Sequence, residues 1–135
     1  MSVAIRVGER SYAVGTGAFF GSVFSTIFVC LEGTWGSKFP AVMNELHSGC
    51  LARGRVEEAQ DELAVIRSEF AHHLPSEIVW DHEKREVLPP WGDRIAPTIK
   101  SLADYWVASA GRNLFDVLAD ALKYSREIGA DVLVR

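Results

Sequence analysis

The run from Ala18 to Leu31, "AFFGSVFSTIFVCL", decides the architecture, because so apolar a stretch is a membrane span, a processing signal or a buried helix. It falls short of the ~20 apolar residues that cross hydrocarbon, and Gly21, Ser22, Ser25 and Thr26 dilute it. The charges before it, Arg6, Glu9 and Arg10, are mixed in sign, and no A-x-A-like cleavage site follows Leu31. A buried helix is therefore the reading. Phe19, Phe20, Val23, Phe24, Ile27, Phe28 and Leu31 recur at helical spacing, Thr16 is placed to cap the start, and Gly33 to end it. Its apolar face is wide enough for the central helix of a domain.

Elements on either side of this helix follow from the same rules. "VAIRV" and "SYAVG" read as two short strands around a Gly-containing turn, an N-terminal hairpin. Ser37 is placed to cap a short helix with Pro40 in its first turn, Phe39, Val42, Met43 and Leu46 on one face, and Gly49 as its stop. From Arg55 to Leu74, Val56, Ala59, Leu63, Ile66 and Phe70 form one apolar stripe, so a long helix is predicted there, ended by Pro75. "SEIVWD" reads as a strand, and Tyr105, Trp106 and Val107 lean toward another. Asn113, with Asp116 three residues on, opens a last helix carrying Leu114, Val117, Leu118, Ala121 and Leu122; Gly129 closes it and "DVLV" is a final strand. The expected fold is one α+β domain over residues 1–135, a small, mainly antiparallel sheet packed with about four helices.

Composition narrows the function. With 135 residues and 48 % hydrophobic content the chain closes one core without staples. A net charge of -4 argues against a general nucleic-acid binder and favours basic partners instead. Cys30 and Cys50 have no metal-type spacing, which fits a reducing compartment. His47, His72, His73 and His82 form no HExxH or HxH pattern, and surface or helix-end positions explain them better than zinc. Neither a metal nor a cofactor is expected.

Catalytic readings fare no better. Cys50 lacks a positioned base beyond His47 nearby, and "VGTGAFFG" matches neither phosphate-loop pattern. Asp81, Glu83, Asp93 and Asp104 lie near aromatics and invite comparison with a glycosidase pair, yet so small a chain hardly provides the cleft that such chemistry needs. No catalytic residue is assigned.

Two features remain as candidate binding surfaces. The predicted long helix carries Glu57, Glu58, Asp61 and Glu62 off its apolar stripe, a solvated face or an anionic field for a basic partner. The segment "LPPWGDRIAP" from Leu88 to Pro97 follows "SEIVWDHEKRE" closely, so that three of five prolines and two of four tryptophans crowd together. Pro89 and Pro90 stiffen it, Gly92 permits a tight turn, and Trp91 with Asp93 becomes either a partner anchor or a staple folded back on Trp80.

Taken in order, "GSKFPAVMNELHSGCL", "VWD", "PPWGD" and "GRNLFDVL" resemble the immunity protein seventy family, small bacterial proteins of polymorphic toxin systems. The likeness runs over nearly the whole chain. It is carried by Gly36, Ser37, Phe39, Pro40, Asn44, Glu45 and Leu46, then Trp80 and Asp81, then Pro89, Pro90, Trp91 and Gly92, and finally Gly111, Leu114 and Phe115. None of these forms a catalytic signature. The resemblance implies a cytoplasmic, non-enzymatic antidote that binds a cognate toxin domain; the acidic helix and the loop read above then supply its candidate contacts, Glu57, Glu58, Asp61, Glu62, Trp91 and Asp93. The competing reading is a small-molecule-binding or regulatory module in which Trp80, Trp91, Tyr105 and Trp106 line an apolar pocket.

Overall fold

The computed structural model describes residues 2–135. Strands β1 (Ser2–Val7) and β2 (Arg10–Thr16) form the expected hairpin, and β3 (Cys50–Leu51) and β4 (Val132–Val134) complete an antiparallel sheet in the order β2-β1-β4-β3. Ile5, Val7, Val14, Leu51 and Val132 point from the sheet into the core, while Arg6 and Ser11 on the opposite face stay exposed. Period-two alternation produces both faces.

Helix α1 (Gly17–Ile27) is the buried helix expected from the opening run, and it continues into a π-helical turn over Phe28–Glu32. The Thr16 side chain accepts from Phe19 N–H at 3.1 Å, as predicted. Phe20, Val23, Phe24 and Ile27 are buried, and among the described residues no helix is long and apolar enough to cross a membrane. Helix α2 (Val56–Phe70) lies under α3 (Leu114–Ile128). Asn113 caps α3 by accepting from Phe115 N–H, and Gly129 ends it in a left-handed conformation at φ 66°. This α+β fold is the one expected, with three departures.

The first departure is local and instructive. The short helix after "GTWG" exists, but as a π-helical segment, Ala41–Leu46, and Ser37 does not cap it; its hydroxyl donates to Thr34 O. Glu62 from α2 does so instead, accepting from Ala41 N–H at 3.1 Å and Val42 N–H at 2.9 Å. Pro40 has no N–H to satisfy, and Met43 N–H donates to Phe39 O. Glu32 holds the approach, accepting from the N–H groups of Gly36, Lys38 and Phe39. Gly36 sits at φ 76°, a conformation that strains any other residue, and a Cβ there would lie 2.5 Å from the Asn44 side chain and force it to move.

The second departure is that "SEIVWD" is no strand. Pro75–Glu77 form a single 3₁₀ turn, and the residues after it run along α1, whose hydroxyls take the place of a sheet partner. Thr26 Oγ1 accepts from Val79 N–H at 3.0 Å and donates to Val79 O at 3.1 Å, and Ser25 Oγ accepts from His82 N–H. The third is at Tyr105 to Val107, where Leu102–Asp104 make a 3₁₀ turn and only one bridge, Val107 to Asn113, forms. Aromatic and β-branched content there serves side-chain burial, which strand propensity imitates. The third strand of the sheet is instead Cys50–Leu51, too short for alternation to reveal.

Candidate functional site

Crossing α1, the segment from Ile78 to Pro97 builds three neighbouring depressions. The Ser25 and Thr26 bonds fix its first part. Farther along, Trp91 Nε1–H donates to Tyr105 Oη at 2.8 Å, and its ring meets Trp80 edge-on with centroids 5.4 Å apart. Trp91 is thus tied into the domain from both sides, the geometry of a staple. Replacing it by Ala is expected to lower stability by about 2 kcal/mol, through lost packing and an unpaired Tyr105 hydroxyl. Trp91→Phe is expected to recover roughly half, measured by chemical denaturation.

Two apolar clefts flank the loop, with Ile95 and Tyr105 lining both. One, of about 400 Å³, lies between the end of β2 and the loop and is lined by Val14, Phe19, Trp91, Arg94, Ile95, Ile99 and Tyr105. The other, of about 510 Å³, is lined by Ile78, Trp80, Arg85, Val87, Leu88, Pro89, Asp93 and Tyr105. At its rim Leu88 is 71 % exposed and Val87 39 % exposed, next to the two consecutive prolines. Of the aromatics grouped as a possible pocket lining, Trp106 is not there: it is fully buried in the core. Burial of Tyr105 raises its hydroxyl pKa.

The third depression, of about 260 Å³, was not legible as a site. Trp35, His47, Trp80, Asp81 and His82 line it, with Ser25 and Val87. Trp35 stands between two imidazoles, its centroid 5.0 Å from His47 and 5.1 Å from His82. Its indole N–H donates to Met43 O at 3.0 Å, while Ser25 Oγ and His82 Nδ1 are hydrogen-bonded at 2.9 Å. His47 is exposed at one side, but its ring packs on Phe24 and Trp35; the partial desolvation there, then the nearby His82, push its pKa below the ordinary value. Trp80, Asp81 and His82 are consecutive, but Trp35 and His47 lie more than thirty residues earlier, and no short motif joins them to that run.

The carboxylates of α2 divide. Glu57, Glu58 and Asp61 are exposed, but Glu62 is buried and engaged with the two amides it caps; burial raises its pKa, and those amides oppose the shift. Two of the three exposed acids have basic partners: Glu58 pairs with Arg55, and Glu57 lies 3.7 Å from Arg126. Asp93 is exposed on the loop. Arg55 bridges further to Glu45 at 2.6 Å, tying α2 to the π-helical segment. Among the described residues no group of three or more His, Cys, Asp or Glu is arranged to hold a metal ion.

These features define a small α+β domain with a rigid, aromatic-lined surface built where one irregular segment crosses its central helix. The family model described as Immunity protein 70 matches residues 5–134, nearly the whole chain, and the protein belongs to that family. No curated protein and no solved structure matches it.

Proposed function

We propose that the chain is the antidote half of a toxin pair: it binds a cognate toxin domain stoichiometrically and blocks it by steric and electrostatic occlusion, without turnover. Family membership supports an immunity role. The observation that carries the binding surface is Leu88, 71 % exposed on a loop stiffened by Pro89 and Pro90. With Val87 beside it and an apolar cleft behind it, Leu88 belongs to a contiguous apolar patch, the kind of surface that marks an interaction site, and a rigid loop loses little entropy when a partner covers it. Val87, Trp91 at the loop's base and Asp93 complete the contact region.

Glu57, Glu58 and Asp61 act at longer range in this reading, attracting a basic toxin surface before contact. Charge reversal of Glu58 and Asp61 together is expected to lower the association rate roughly tenfold at low salt, with little change in dissociation. Stopped-flow measurements at two ionic strengths check this. An unchanged rate removes α2 from the encounter.

The test of the function itself is to mix the purified chain with the toxin domain encoded beside it. A one-to-one complex and loss of toxin activity are expected. A second reading is favoured by the apolar cleft of about 400 Å³ between β2 and Trp91, whose volume suits a metabolite. Stabilisation by a small molecule in a thermal-shift panel, with no toxin complex, would select it.

A further inference from the structure

We propose that the depression between Trp35 and Trp80 receives one arginine side chain of the bound toxin domain, with Asp81 as its anionic partner. The inference rests on the toxin-binding reading and names the chemistry the partner must bring.

Size is the first argument. At about 260 Å³ the depression is below the roughly 300–1,000 Å³ of small-molecule sites, and suits a single long side chain. Its lining is the second. Trp80 borders it together with Trp35, which His47 and His82 flank, and indoles attract cations, guanidinium more often than ammonium because its planar group also stacks. Among the described residues that line it, Asp81 is the charged one. Its Oδ1 accepts from Glu83 N–H at 2.9 Å, which orients the carboxylate and leaves Oδ2 to accept from a guanidinium. His47, held toward its neutral form, adds no repulsion at neutral pH.

The walls are also set before any ligand arrives. Trp35 is fixed by its bond to Met43 O, His82 by Ser25, and Trp80 by Trp91, which Tyr105 holds in turn. A binding surface whose side chains are already ordered forfeits little on association. Aromatic walls, one carboxylate and fixed rotamers together describe a receptor for a flat cation.

Two measurements test this. Nuclear magnetic resonance titration with N-acetyl-arginine amide is expected to shift the Trp35 and Trp80 indole N–H signals together and saturably; the neutral isostere N-acetyl-citrulline amide should shift neither. Equal shifts with both probes, or none with either, would overturn the proposal. In the toxin complex, Asp81→Asn, which retains the oxygen facing Glu83 N–H, is expected to raise Kd roughly tenfold with unchanged thermal stability. Unaltered Kd would sink the arginine site while leaving toxin binding intact. Failure of the wild-type chain to bind toxin would instead remove the functional reading, and the arginine titration would judge the pocket on its own.

Discussion

Replacing Trp106 by Ala is expected to cost about 3–5 kcal/mol and lower the melting temperature by roughly 10 to 20 °C. The side chain is fully buried, with ring centroids of Phe70 at 5.5 Å, Tyr105 at 5.3 Å and Phe115 at 6.2 Å. Its Nε1–H donates to Ser22 Oγ at 2.9 Å, and that hydroxyl donates to Phe19 O within α1. Truncation would therefore open a cavity where α1, α2 and α3 meet and deprive Ser22 of its donor. Trp106→Phe fills most of the space but not the hydrogen bond, so a smaller loss is expected. Calorimetric melting of both variants decides the matter. A shift of only a few degrees for the Ala variant would mean that the core does not close around this residue.

Glu62→Ala is expected to cost about 2 kcal/mol or more, since it strands the buried amides of Ala41 and Val42. Burying a carboxylate opposes part of that contribution, as the raised pKa of Glu62 records. Glu62→Gln removes the charge and keeps one acceptor, so less than half of the Ala loss is expected. The sign of the linkage follows from the same shift. The folded chain holds this proton more tightly than the unfolded chain does, so ionisation of Glu62 subtracts stability as pH rises through its folded pKa. Denaturant unfolding from pH 4 to 7 is therefore expected to be flatter for the Gln variant. Equal stability of Ala and wild type at neutral pH would show that the cap contributes nothing.

The reach of the sequence ended where partners are distant. Caps and periodicity are local, so Thr16, Asn113, Gly129 and the three apolar helix faces were readable from adjacent residues. Glu62 was not, because its role depends on a segment some twenty residues earlier. It read as surface charge at a helix start, and only the packing of α2 against Ala41–Leu46 turns it inward. The expected strand at "SEIVWD" failed for a related reason: backbone N–H groups that a sheet partner would have bonded, at Val79 and His82, donate to Thr26 and Ser25 on a helix fifty-odd residues away.

The candidate site follows this division. The crowding of Trp80, Trp91 and prolines is legible from the sequence, and the structure shows the pairing of Trp91 with Trp80 that a staple requires. That Leu88 would stand outermost, and that Trp35, His47 and His82 would gather beside Asp81, required the path of the chain over α1. Residues that carry the family likeness divide in the same way. Gly36 packs against Asn44 and Glu45 bridges to Arg55, which holds the π-helical segment in place, whereas Trp80, Asp81 and Pro89 line the depressions.

Amide hydrogen exchange on the chain, alone and mixed with the toxin domain that the proposed function requires, addresses the proposed interface directly. Slowed exchange concentrated in residues 78–97, with Trp35 and its flanking amides included, is the expected pattern. Protection confined to the exposed side of α2, or none on the crossing segment despite a tight complex, would contradict it.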